Sequence, residues 1–245
     1  MTDRPAHDDL PRFEPLLDER PLDTRWPELA WPMHPATALT GRFVTLTLAT
    51  PADVEELFTA LDHEAVWAHV AGRPSGAGAL AAAIAARGPL WATWVVRLAC
   101  PLEGLPAGTV VGTTSYLDVS PADARLEVGS TLYSPTFWGG PVNPEAKLLL
   151  LGHAFDRLGA GRVQLKTDVR NIRSQQAIAR LGARYEGTLR RYQRRADGTV
   201  RDTVLFSIAA EDWPSVQARL QARLQAWLQA RPQTLPQARL SASRD

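Results

Sequence analysis

The chain has 245 residues, 45% hydrophobic and 22% charged, the balance of a globular protein with enough length to bury a sizeable core. Its formal net charge is +1, so no global field draws it to nucleic acid or to an anionic membrane, and neither is expected as a partner. One cysteine, Cys100, excludes an internal disulfide and suits a reducing cytoplasm, the expected location. Five histidines without HxxxH or HExxH spacing, beside that single cysteine, give no metal site to expect. The N-terminus is polar and acidic, unlike a signal peptide, and no stretch reaches the ~18 apolar residues of a membrane span.

Residues 1–40 hold seven of the 19 prolines together with Trp26 and Trp31. The prolines argue against regular structure and the tryptophans against a free tail, so this Pro/Trp-rich extension reads as an arm laid over the surface. Arg42–Leu48 alternates as a first strand. Thr50 and Pro51 start a helix with Val54, Leu57, Phe58 and Leu61 on its apolar stripe. The segment 63–78 is turn-rich, with Trp67 and Val70 as anchors, and the alanine-rich 79–86 is a second helix. Strands follow at 91–99, 109–117 and 125–133, the first two as a hairpin leading into the third.

The third strand opens the most informative run, Arg125 to Leu151. Ser134-Pro135 stops the strand, and Gly139-Gly140-Pro141 makes a turn. Asn143 as N-cap and Pro144 at the first helical position begin a helix running to about Leu158, with Glu145 as a first-turn charge. Strand, glycine loop and helix in that order form a seat for a phosphate or diphosphate, since glycines admit the ligand and the helix start offers free N–H groups. An ordinary strand-to-helix turn has the same pattern.

Gly159-Ala-Gly161 caps that helix and Arg162–Asp168 is the next strand, parallel to 125–133 because a helix joins them. A loop at 169–173 leads to a short helix with Ser174 as N-cap, Ile178 and Leu181 inward and Gly182 at its end. Strands 184–194 and 200–208 flank a hairpin turn at Ala196–Thr199. Residues 211–229 form an amphipathic helix, and the tail from Pro232 is loose.

Three segments carry a resemblance to a known family: Val142–Phe155, Leu165–Ser174 with its Asn-x-x-Ser, and Ile178–Ala183 with its Ile-x-x-Leu-Gly-Ala. Glu186–Arg190 and Arg201–Ile208 extend it. The chain resembles the GNAT superfamily of N-acetyltransferases, nearest the ribosomal-protein N-terminal acetyltransferase (RimJ/RimL-like) branch, over about residues 41–210. The N-terminal extension (1–40) and a C-terminal helix and tail (211–245) flank that domain.

The resemblance implies an α/β (α+β) fold: a mixed, mostly antiparallel sheet splayed between two parallel strands, with helices on both faces. It implies a transferase moving acetyl from acetyl-CoA to a primary amine, on a protein N-terminus or a small molecule, by direct transfer without a metal. Acetyl-CoA would lie between strands 125–133 and 162–168, its pantetheine amides on the strand edge near Leu132 and Tyr133. Its diphosphate would sit on the loop at Trp138, Gly139, Gly140, Val142 and Asn143. Asn171 would hold the pantetheine arm, unless it braces its own loop, and Arg170 and Arg173 lie near the phosphates.

Two positions depart from the family pattern. Pro141 occupies a glycine position of the phosphate loop and has no N–H to donate. The family's frequent tyrosine general acid has no counterpart, since Ala179 and Arg180 fill that area. Glu127 is the expected base, directly or through water; the alternative is a surface glutamate paired with Arg125 or Arg162. Ser174 is a candidate proton donor to the thiolate as well as a cap. Arg190, Arg191, Arg194 and Arg195 form a basic group that reads as a solvated face. The arm and the last helix are a candidate homodimer surface. A second functional class stays open: a catalytically silent module that keeps the fold and binds acyl-CoA or a protein.

Overall fold

The computed structural model describes residues 14–21, 24–70 and 72–230. Eight strands form one sheet: β1 (Ala38–Thr40), β2 (Val44–Leu48), β3 (Ala92–Leu98), β4 (Val110–Ser120), β5 (Arg125–Tyr133), β6 (Arg162–Asp168), β7 (Arg184–Arg194) and β8 (Val200–Ala209). Their spatial order is β1-β2-β3-β4-β5-β6-β8-β7. Neighbours are antiparallel except β5 and β6, which run parallel. This is the mixed, mostly antiparallel sheet expected from the sequence.

Two apolar layers sandwich the sheet because its strands alternate. Val95 of β3 packs with Val54 and Leu57 of α1 (Val54–Leu61), Val66 of α2 (Glu64–Trp67) and Leu80 of α3 (Ala77–Ala85). Its neighbour Trp94 points the other way. There it meets a larger core with Ala146 and Leu150 of α4 (Val142–Gly152), Ile178 of α5 (Ile172–Leu181) and Leu220 of α6 (Trp213–Ala230). The arm joins this second layer where it is described. Leu29 is buried, Ala30 N–H donates to the Leu158 carbonyl at 2.8 Å, and the Trp26 and Trp31 indoles donate to Ala122 and Pro89 carbonyls at 3.0 Å. Residues 1–13 and 22–23 of the arm, and the tail expected to be loose from Pro232, lie outside the described residues.

Three local expectations need correction. Segment 63–78 holds the one-turn α2, capped by the His63 ring nitrogen, and the start of α3; a single turn is too short to show a period. Helix α4 begins at Val142, with Pro141 in the capping position and no side-chain cap, so Asn143 is not its N-cap. The helix stays regular only to Gly152; a π-turn spans His153–Arg157. The Tyr116 hydroxyl donates to the Leu150 carbonyl at 2.6 Å beside that turn, a partner 34 residues away that no local pattern discloses.

Candidate functional site

The centre of the sheet is open. Strand β6 pairs with β8 from Arg162 to Asp168, and β5 pairs with β4 from Arg125 to Tyr133. Between β5 and β6 the pairing covers Arg125–Glu127 against Arg162–Gln164 and then stops. The cause lies in β5. Thr113 opposes Leu132 while Ser115 opposes Gly129, so β5 carries one extra residue, and Ser130 takes a positive φ of 47°. A bulge of this kind bends its strand and raises the local twist. Beyond Glu127, β5 therefore turns away from β6 and leaves a wedge walled by two unpaired strand edges.

The loop at the wide end of the wedge leaves main-chain N–H groups free of internal partners among the described residues. Gly139 adopts φ 78°, which the turn into α4 requires. The N–H groups of Gly139, Gly140, Val142 and Asn143 have no hydrogen-bond partner among the described residues. Pro141 contributes a carbonyl, which accepts the Glu145 N–H at 3.0 Å. Four free amides at a helix start carry the partial positive charge that a diphosphate needs, so the residues present fit such a group despite the proline. Asn143 Oδ1 is also buried without a partner.

The two sides of the wedge touch at its mouth. Trp138, in the loop after β5, donates its indole N–H to the Tyr133 carbonyl at 3.0 Å. Arg173, on α5 after β6, places its guanidinium carbon 3.4 Å from the Trp138 ring centroid. Asn171 is the N-cap of α5: its Oδ1 accepts the Ser174 N–H at 3.0 Å. Ser174 therefore sits in the first turn and is not the cap, and its hydroxyl has no partner among the described residues. A hollow of about 290 Å³ bounded by Leu102, Thr136, Pro141 and Trp227 flanks the same loop on its outer side; no residue of β6 or α5 lines it.

On the face of α1–α3, Glu127 sits where the wedge begins. It is 5% exposed, with Oε2 2.8 Å from Lys166 Nζ and 3.4 Å from Gln164 Nε2. The expected surface partners are elsewhere, Arg125 beside Asp123 at 3.5 Å and Arg162 on Glu186 at 2.6 Å. A side chain at Gly129 would come within 2.7 Å of Glu127 Oε1, so this glycine makes room for the carboxylate. Burial pushes the Glu127 carboxyl above the usual range, against the pull of Lys166. Burial is the largest single influence on Lys166 and lowers it, but the hydrogen bond it donates to Glu127 and the charge of that carboxylate, together with Tyr192, leave its pKa raised. Glu127 is the more buried of the two, so for its carboxyl the loss of water outweighs the attraction of the ammonium. The Lys166 ammonium also approaches the Tyr192 hydroxyl at 3.2 Å and Asp118 at 3.6 Å. Of the basic group at 190–195, Arg195 is engaged, forking Asp168 at 2.6 and 2.7 Å.

Two groups on α4 matter more than their sequence suggests. Glu145 is a clamp, its carboxylate accepting the N–H groups of Arg42, Phe43 and Val44 at 2.9, 2.6 and 2.8 Å. Lys147, which the motif reading passed over, is 5% exposed beneath the bulge, with Nζ donating to Thr131 Oγ1 at 2.9 Å. Thr131 Oγ1 in turn shares a hydrogen bond with Thr114 Oγ1 at 2.8 Å. Burial lowers the Lys147 pKa from 10.5 to about 7. Its spacing to Leu150, Leu151 and Ala154 places it on the buried stripe of the helix, a signal available in the sequence.

A family model for the acetyltransferase (GNAT) domain matches residues 44–184, and the chain belongs to that family. A candidate acetyltransferase from T. thermophilus is 36% identical, with a TM-score of 0.68 over 80% of this chain and 100% of that one. Mycobacterium smegmatis RimJ in complex with CoA-disulfide, 24% identical, shares the fold with a TM-score of 0.63 over 78% of this chain and 97% of its own. The uncharacterized N-acetyltransferase p20 of Bacillus licheniformis is 28% identical over 104 residues, 42% of this chain; the match spans 57% of p20. Among the described residues no His, Cys, Asp or Glu cluster suits a metal ion, and no helix is long and apolar enough to cross a membrane.

Proposed function

We propose that the protein is an N-acetyltransferase carrying acetyl from acetyl-CoA to a primary amine, on a protein N-terminus or a small molecule, by direct attack. The observation that carries this reading is the wedge between β5 and β6, ending in four unpartnered amides and bordered by a buried carboxylate. Pantetheine lies along the β5 edge at Leu132 and Tyr133, and the diphosphate rests on Gly139, Gly140, Val142 and Asn143 beneath Trp138. Asn171 holds the arm by its side-chain N–H groups, its Oδ1 being used in capping, and Arg173 supplies positive charge at the mouth. Glu127 takes a proton from the acceptor ammonium, directly or through water. A main-chain N–H of β5 polarises the thioester carbonyl. Ser174, with its free hydroxyl, stands near the departing sulfur. The one cysteine, Cys100, lies past the end of β3, two strands from β5, which supports transfer without an acyl-enzyme. The same reading places the protein in the cytoplasm and leaves the arm and α6 as a candidate homodimer surface.

Calorimetric titration with acetyl-CoA, followed by thiol release across a panel of amines and N-terminal peptides, tests the proposal. Binding with amine-dependent release is expected. No binding at millimolar acetyl-CoA contradicts it, and binding without release by any amine favours the silent-module alternative.

A further inference from the structure

Lys147 has unusual surroundings for a lysine. It is 5% exposed, and its ammonium hydrogen-bonds to a neutral threonine hydroxyl. Among the described residues no carboxylate lies within ion-pair distance of it; Glu127, across the sheet, is the one charged group acting on it through space. A buried ammonium with so little compensation is expensive to hold. A buried titratable group so far from its ordinary pKa is a candidate for function.

Its position gives the reason. Thr131, which Lys147 touches, lies in the bulge that parts β5 from β6. Lys147 lies on the α4 face of the sheet, whereas Glu127 lies on the face of α1–α3 with Lys166 and Gln164 of β6. The two groups thus lie on opposite faces of β5, Glu127 where the wedge begins and Lys147 at the bulge four residues further on. A departing thiolate needs a proton donor.

Resting on the acetyl-transfer reading, we infer that Lys147 is the catalytic acid, donating its proton to the leaving thiolate from beneath the β5 bulge. The acceptor ammonium gives one proton to Glu127, and the neutral amine nitrogen forms a bond to the acetyl carbon. The carbon–sulfur bond breaks, the electron pair leaves with sulfur, and Lys147 Nζ supplies the proton that makes the thiol. The nitrogen loses its second proton to solvent, Glu127 releases the first, and the neutral Lys147 takes one back. The net result is one proton released per transfer. A donor with a pKa of about 7 is well matched to this duty near neutral pH.

The test compares wild type, Lys147→Met and Ser174→Ala on acetyl-CoA and on its selenoester, whose more acidic selenol leaves without a donated proton. Methionine fills the same volume and removes a buried charge, so folding and acetyl-CoA affinity are retained. Lys147→Met is expected to lower kcat by roughly 100-fold or more on the thioester, to lose most of that deficit on the selenoester, and to leave acetyl-CoA affinity within about threefold. Ser174→Ala is expected to fall by less than about tenfold on either. An equal loss on both substrates, no loss on either, a collapse of acetyl-CoA binding, or selenoester rescue confined to Ser174→Ala would each overturn the inference. A wild type that binds acetyl-CoA and releases no thiol with any amine refutes the acetyl-transfer reading itself, and the inference falls with it.

Discussion

Replacing Glu145 by glutamine attacks the clamp that fixes α4. The carboxylate holds three main-chain N–H groups of the residues entering β2: Oε1 takes Arg42, and Oε2 takes Phe43 and Val44. Glutamine retains one acceptor oxygen. If that oxygen stays with Phe43 and Val44, two bonds lose their charge, which roughly halves each. The new NH₂ group then faces the Arg42 N–H, leaving a part-buried donor unsatisfied at about 1–3 kcal/mol. The reverse orientation strands two donors and is worse. The expected loss is about 3–4 kcal/mol, or a fall in Tm of about 6–16 °C for a chain of this size. Urea unfolding followed by tryptophan fluorescence measures it. Gly41→Ala strikes the same clamp, since a Cβ there would collide with the Glu145 carboxyl group; the double variant should lose less than the sum of the singles. A loss below about 1 kcal/mol for Glu145→Gln, or strict additivity with Gly41→Ala, would refute the clamp.

Other predictions follow from the same geometry. Glu127→Gln should lower kcat by roughly 100-fold or more with little change in acetyl-CoA affinity. Because burial raises the Glu127 carboxyl, the acid limb of the wild-type kcat/KM profile should lie above the ordinary carboxylate range, the rate falling as pH drops through it; a limb at an ordinary carboxylate pKa would contradict the assignment. Lys147 has a folded pKa of about 7 against 10.5 for an ordinary lysine, so between those values the unfolded chain binds the additional proton. The wild type should therefore gain stability as pH rises from about 7 towards 10. Lys147→Met should be more stable than wild type by about 2–5 kcal/mol below pH 7, with the advantage shrinking over that window; a pH-independent difference in unfolding free energy would exclude the shift. Trp138→Ala removes the stack under Arg173 and should weaken acetyl-CoA binding by about 3- to 30-fold in calorimetry, whereas unchanged affinity would place the stack outside the cofactor path.

The sheet was legible because its strands alternate and its turns carry Gly, Pro and Asp. The wedge was not legible from the residues themselves. Nothing in Gly129-Ser130-Thr131 announces that an extra residue must be absorbed against β4, and the split was expected because the Asn-x-x-Ser and Leu-Gly-Ala segments resemble a family that has one. Both Asn171 and Ser174 are good caps three residues apart, and a sequence cannot choose between them; the structure chose Asn171. Glu127 was singled out, but its partner Lys166 sits on the neighbouring strand that starts 35 residues later, a pairing set by sheet register. Glu145 shows the limit of local rules most plainly: the first turn of a helix favours its charge, yet its main partners are three amides over 100 residues away. Lys147 was the one avoidable omission, since its helical spacing to Leu150 and Ala154 already put it inside.

The most direct test of the proposed acetyl-CoA site is amide hydrogen exchange with and without saturating acetyl-CoA. Slower exchange is predicted at 129–133 on the β5 edge, at Gly139, Gly140, Val142 and Asn143, and at the start of α5. Saturable binding that leaves those amides unchanged, with protection confined to the outer hollow around Leu102 and Trp227, would contradict the placement of the site between β5 and β6.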